Sequence, residues 1–364
     1  MLVCLIDFIP IELYTPLFYY FNFILVILLF AKNFSKVQLQ YSSKTGVFIV
    51  IIILLYIGLR PLDKGYMGDT GAYLKVFNKF ADGSISTFYE NEYGFMLLMK
   101  YSALYLNEVF FFLICSFIYV FLHYLVAKKL FQEYWYFGFI VLVSSFSFWA
   151  YGTNGIRNGL GAAILLYAFT FDNNKIWAIS IAILAVFFHK SMLLPVLAYI
   201  LTFIYNTRVS YLRVWFLCIP LSLIAGGSFE ILFASLGFGD ERISYLTDGN
   251  VNGDEFAYSG FRWDFLLYSA SAVYAGWYFI VKKNFDDKLY HRLFNVYLLS
   301  NAFWILVIRA NFSNRFAYLS WFMMGVIIIY PFLKKQMLFN QTRKAAIVLL
   351  FYFMFTFLLN VVLA

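Results

Sequence analysis

The stretch VFFFLICSFIYVFLHYLVA, Val109 to Ala127, runs straight into Lys128 and Lys129. Only Ser116 and His123 interrupt its apolar character. About 20 such residues in an α-helix cross the hydrocarbon of a bilayer, and flanking lysines mark where the helix leaves it. Similar runs recur on both sides. The spacing predicts spans at 13–31, 45–59, 109–127, 135–151, 158–171, 176–188, 191–205, 214–227, 263–281, 293–308, 317–333 and 345–363. Residues 93–107 are also apolar but carry Lys100, so they read as a re-entrant or interfacial segment. The 364-residue chain as a whole is 63% hydrophobic, 23% aromatic and 13% charged. A soluble domain carries about 25% charged residues. So few charges cannot build a water-facing surface, which excludes a soluble enzyme, a disordered chain and a nucleic-acid binder with a basic face. A β-barrel would alternate apolar and polar residues, and these runs do not. The expected fold is an all-α polytopic membrane protein, residues 1–364 forming a single integral membrane domain of roughly 12 transmembrane helices.

Charge orients the scheme. With the N-terminus outside, the inner loops collect Lys32, Lys36 and Lys44, then Lys128 and Lys129, then Lys282, Lys283 and Lys288, then Lys334, Lys335 and Lys344. This is the positive-inside pattern, so the net charge of +8 reports orientation and not an anionic partner. Arginine behaves differently. Arg60, Arg157, Arg242, Arg262, Arg309 and Arg315 fall on the outer side, against that bias. A guanidinium offers a planar fork for phosphate or carboxylate, which a lysine does not. Two outer segments, 60–108 and 228–262, are long enough to be structured. Cys4, Cys115 and Cys218 sit far apart in apolar surroundings and suggest neither a disulfide nor a metal framework. No His or carboxylate pair has metal-ligand spacing, so no metal is expected.

Five polar turns on the outer side are candidates for chemistry. In the first, Arg60 precedes Gly68-Asp69-Thr70 and Tyr73; Asp69 reads either as a general base or as the N-cap of a helix beginning near Thr70. In the second, Asn154-Gly155-Ile156-Arg157-Asn158-Gly159 opens a helix. It suits an anionic group at the helix N-terminus, or it is an interfacial turn whose arginine snorkels to headgroups. The third, Phe187-Phe188-His189-Lys190-Ser191, offers an imidazole as base or as hydrogen-bond donor to a phosphate, or is a short turn between helices. In the fourth, Arg262 pairs with Asp264 or binds an anion. The fifth, Arg309-Ala310-Asn311-Phe312-Ser313-Asn314-Arg315-Phe316-Ala317-Tyr318, repeats the logic of the Arg157 turn. A shared cavity explains all five more economically than five separate reasons.

Taken in order, Arg60, Gly68-Asp69-Thr70 with Tyr73, Glu92-Tyr93-Gly94, Asn154-Gly155-Ile156-Arg157, Phe188-His189-Lys190-Ser191 and Asn314-Arg315-Phe316-Ala317-Tyr318 resemble the EpsG family, bacterial polysaccharide polymerases of the Wzy type, over roughly residues 45–330. The resemblance implies a GT-C-like fold in the bacterial inner membrane, multi-pass, with the active site facing the periplasm. It implies a glycosyltransferase that joins undecaprenyl-pyrophosphate-linked oligosaccharide units into O-antigen, capsular or exopolysaccharide. The partners would be that lipid-linked oligosaccharide as donor and acceptor, membrane lipid, and a chain-length regulator protein; no nucleic acid and no cofactor are implied. In this reading Arg157 and Arg315, then Arg60 and Arg262, meet the pyrophosphate. Asp69 and His189 compete for the base, and Tyr73, Glu92, Asn154, Asn158 and Asn314 line the substrate. Residues 228–262, with Tyr245, Phe256, Tyr258 and Trp263, would choose the sugar. A flippase for the same lipid-linked unit and a membrane O-acyltransferase are the alternatives. The first would place cations along its spans, and the second a histidine at membrane depth.

Overall fold

A computed structural model describes residues 9–34, 43–62, 68–84, 92–207, 209–235, 260–310 and 313–363. Every regular element among the described residues is helical. Five stretches are long and apolar enough to cross a membrane: Ile11–Phe34, Glu108–Val143, Ser210–Phe233, Ser313–Lys334 and Gln341–Val362. Shorter apolar helices accompany them at Ser43–Gly58, Ile156–Phe169, Lys175–Phe188 and Lys190–Ile204. The chain gathers into two compact units, Met1–His189 with Phe332–Ala364 and Lys190–Pro331.

In the first unit, α1 (Ile11–Phe34) and α2 (Ser43–Gly58) are followed by two shorter helices, α3 (Thr70–Ala81) and α4 (Tyr93–Tyr105). Then come α5 (Glu108–Phe131), α6 (Trp135–Val143), α7 (Phe146–Thr153), α8 (Ile156–Phe169) and α9 (Lys175–Phe188). The helix α5 is the hub, packed on α2, α4, α6 and α8, while α8 lies along α9. Helix α3 is the amphipathic one: Thr70, Tyr73, Phe77 and Phe80 face inward and its lysines face out. An aromatic seam joins α1, α2 and α7. Tyr14 stacks on Tyr56 at 4.3 Å and Phe18 on Trp149 at 4.4 Å. The hydroxyl of Tyr14 donates to the carbonyl of Tyr56, and that of Tyr56 donates back to Tyr14 at 2.8 Å.

One expected span is divided. Residues 135–151 form α6 and α7, which part at Ser144 and Ser145. The apolar pattern runs through the break because both halves are buried. The carbonyls freed there still need donors in a dry interior. Asn22 of α1 supplies Val143 at 3.1 Å, and Thr356 of the last helix supplies Ser144 at 3.3 Å.

The second unit holds α10 (Leu193–Ile204), α11 (Ser210–Ser235), α12 (Trp263–Trp277), α13 (Lys288–Leu306) and α14 (Ser313–Trp321), and α15 (Met324–Lys334) begins in it. Helix α13 is central, packed on α10, α11, α12 and α14. The expected span 317–333 is likewise divided, between α14 and α15, at Phe322 and Met323. At the heart of this unit Asn301, fully buried, accepts from Trp215 Nε1 at 2.7 Å and donates to Ser269 and Ser320 at 3.2 and 3.0 Å. Trp321 Nε1 closes the network on Ser269 at 2.7 Å. The last helix, α16 (Gln341–Phe357), returns to the first unit and packs on α1. Cys115 and Cys218 are buried free thiols; Cys4 lies outside the described residues.

Candidate functional site

The first unit draws four of its helix ends together. Asp69 stands at the cap position of α3, Glu92 at that of α4, Arg157 in the first turn of α8, and His189 at the C-cap of α9. Helix N-termini favour anions and C-termini favour cations. Asp69, Glu92 and His189 are therefore placed with their helix dipoles. Arg157 is placed against its own, so it needs an anion nearby.

Glu92 is that anion. Arg157 Nη1 donates to Glu92 Oε2 at 2.5 Å, while the other carboxylate oxygen lies 3.5 Å from His189 Nε2. The Glu92 and His189 side chains are 7% and 3% exposed, whereas that of Arg157 is 24% exposed. The guanidinium is thus anchored from behind and reachable from outside. Its Nε also donates to the Tyr73 hydroxyl at 3.4 Å, with the ring 5.6 Å from the guanidinium carbon. Burial raises the Tyr73 pKa, opposed by the neighbouring Arg157, so the phenol is neutral near pH 7. Gly94 allows the approach of α4 to the end of α9. A Cβ there would lie 3.1 Å from the Phe187 carbonyl oxygen.

The Asp69 turn is pinned to the Asn154 turn. The backbone N–H of Asp69 donates to Asn154 Oδ1 at 2.7 Å, and Thr70 Oγ1 donates to the Thr153 carbonyl at 3.0 Å. Gly68 is required twice over. Its φ is +54°, and a Cβ would lie 2.4 Å from Asn154 Oδ1. The Asp69 side chain makes no capping hydrogen bond. Asp69 is half-buried, so its carboxylate is reachable where the imidazole of His189 is enclosed.

Two further expected site residues in this unit are buried. Arg60 is turned inward, 3% exposed, donating to the Ile57 carbonyl at 2.9 Å and to Thr70 Oγ1 at 3.4 Å, with its guanidinium carbon 4.7 Å from the Phe112 ring centre. Burial lowers its pKa to about 10, which leaves it charged at neutral pH. It braces the Asp69 turn. Asn158 is also buried, at 6% exposed. The second glycine of its motif serves packing: a Cβ on Gly159 would fall 2.3 Å from the Tyr151 carbonyl oxygen.

The remaining candidates belong to the second unit. Arg262 is held by both oxygens of Asp264, at 2.9 and 2.6 Å, and lies 3.6 Å over the Phe265 ring. Of its two sequence readings, the ion pair is the one present. Asn314 Nδ2 donates to the Tyr318 hydroxyl at 3.3 Å, one turn along α14, and Arg315 stands between them. Of the residues 228–262 expected to choose the sugar, 236–259 lie outside the described residues. Two features escaped sequence reasoning: the Thr153 carbonyl as an anchor for Thr70, and the carboxylate of Glu92 as the partner of Arg157. The first is a backbone group and leaves no sequence signal. A signal for the second existed in an arginine placed at a helix N-terminus.

The sequence pattern of the EpsG family matches residues 46–364. The chain belongs to the EpsG family. This is a polysaccharide polymerase-like family, so the charged cluster of the first unit sits in a chain of polysaccharide biosynthesis. No curated protein and no solved structure matches the chain.

Proposed function

We propose that this EpsG-family chain joins undecaprenyl-pyrophosphate-linked oligosaccharide units at the outer face of the bacterial inner membrane, within a GT-C-like arrangement of about twelve spans. The supporting observation is the convergence of Asp69, Tyr73, Glu92, Asn154, Arg157 and His189 at four helix ends from distant parts of the sequence. Growth of the glycan requires a hydroxyl of one unit to attack the anomeric carbon of the other. The hydroxyl proton passes to the Asp69 carboxylate as the new C–O bond forms. The bond to the pyrophosphate breaks, its electron pair stays on the departing oxygen, and Arg157 meets the charge that develops there. Glu92 holds Arg157 in place and His189 in turn holds Glu92, so both act as positioning residues. Asn154 fixes the Asp69 backbone. A flippase would spread such charge along its transport path, whereas here it is gathered at helix ends.

The test is reconstitution of the purified protein with a synthetic lipid-pyrophosphate repeat unit. A ladder of regularly spaced glycans, formed without nucleotide sugar and absent with Arg157→Ala, is the expected result. A verified substrate that stays a single band with the wild type, while its lipid crosses the bilayer, would move the assignment to transport.

A further inference from the structure

The second unit contains an apolar groove of about 550 Å³ between α11 and α12, lined among others by Leu212, Trp215, Phe216, Trp263, Ala270 and Trp277. On α12 the lining runs from Trp263 to Trp277, about 21 Å at 1.5 Å per residue. The two helices run antiparallel along it. Arg309 meets both the Leu223 carbonyl, beyond the Ile219 end of α11, and the Phe261 ring, just before the Trp263 end of α12. The rim of the groove is bare: Phe216 is 56% exposed, Leu267 75% and Tyr274 63%. Only 17% of the apolar window of α11 is buried, so the groove opens sideways to lipid.

A cation stands just beyond the Trp263 end. Arg309 is exposed, donates to the Leu223 carbonyl at 3.4 Å, and has its guanidinium carbon 6.0 Å from the Phe261 ring, which packs on Trp263 at 4.4 Å. The non-helical φ of −132° at Ala225 kinks α11 here, and the Arg309 stem passes 3.7 Å from the position a Gly226 Cβ would take. Glu230, a turn further on, is the acid whose charge Arg309 influences. Among the described residues Arg309 forms no salt bridge, whereas Arg262 and Arg157 each have one. A long apolar slot ending at an unlocked guanidinium has the shape and charge of a single-tailed amphiphile with an anionic head.

We infer that this groove holds the polyprenyl tail of the lipid-linked acceptor unit, with Arg309 receiving that unit's phosphate end, as distinct from the donor pyrophosphate assigned to Arg157; the inference rests on the function proposed above. The groove's indole and phenol faces suit an unsaturated isoprenoid. Each buried methylene contributes about 0.8 kcal/mol, so the tail supplies binding energy remote from the reacting carbon.

The test uses a photoreactive polyprenyl pyrophosphate and repeat-unit substrates with long and short tails. Crosslinks are expected within 212–219 and 263–277, lost on filling the groove with Ala270→Trp, weakened by Arg309→Gln, and undiminished by excess phosphatidylglycerol. In the polymerisation assay Ala270→Trp keeps short-tail turnover, while the wild-type preference for the long tail falls by about tenfold or more. Leu267→Trp, on the exposed rim, should give the same loss if Ala270→Trp fails to fold. Crosslinks elsewhere, or competition by phosphatidylglycerol as strong as by the polyprenyl lipid, would overturn the inference. Crosslinking needs no turnover, so a wild type that labels in the groove but makes no polymer would overturn the proposed function and leave the tail site standing.

Discussion

Each unit buries a polar network, and the two differ in kind. The first unit's network is charged, stands at helix ends, and leaves Arg157 a quarter exposed. The second unit's network is neutral, stands in mid-helix, and hides Asn301 completely. Hydrogen bonds among Asn301, Ser269, Ser320, Trp215 and Trp321 pin helices to one another where the hydrophobic effect gives little discrimination between packed helices and lipid. The Glu92 network does something a scaffold does not require. It brings an ionised carboxylate and a guanidinium into a place where both lose water, a costly arrangement that a neutral pair would spare. Under the proposed function, the contrast is that the charge state of a buried network separates a working site from a structural tie.

Substitutions can sharpen or break that contrast. The largest effect is expected from Arg157→Lys, which keeps the charge but loses the fork: chain growth should drop by roughly 10²-fold or more at unchanged protein level, and near-normal ladders from that variant would sink its assignment. Asp69→Asn should lose about 10²-fold in rate while Km for the lipid-linked donor stays close to wild type. A retained rate would return the base role to His189. Gly68→Ala places a side chain at φ +54° against Asn154. It should cut the rate by about tenfold and cost about 1 kcal/mol or more of stability, both read on one preparation. On the other side of the comparison, Asn301→Ala should lower thermal stability by about 1–3 kcal/mol and leave activity per folded molecule intact. An Asn301→Ala protein that is stable but inactive would erase the distinction drawn here. Smallest of all, Arg262→Gln removes a partly exposed pair, worth at most about 0.5 kcal/mol, and should leave glycan ladders within about twofold.

The fold class was legible because helix periods and apolar runs are local properties of the chain. The breaks at Ser144 and at Phe322 were not, because buried half-helices carry the same apolar pattern as continuous ones. In the site, the motif order pointed to Asp69, Glu92, Asn154, Arg157 and His189, and the structure draws these together. The roles were harder to read. Arg60 looked like an outward cation because it follows a span, yet Ile57 and Thr70 turn it inward. Glu92 was expected to line the substrate, and nothing in its own neighbourhood names Arg157, which lies 65 residues away. Sequence marks which helix ends are polar; only tertiary packing decides which of them meet.

That separation of 65 residues also has a consequence for how the chain is made. Glu92 emerges from the ribosome long before Arg157 exists, so the carboxylate must wait hydrated or protonated. The helices α4 to α7 are synthesised in the interval. Ion-pair formation is therefore a late event in biogenesis, and it can occur only once α8 has been laid down beside α5. Until then Arg157's eventual position has no counter-charge. A nascent chain arrested before residue 157 should hold Glu92 accessible to carboxyl-directed reagents, and release of the full chain should close that access.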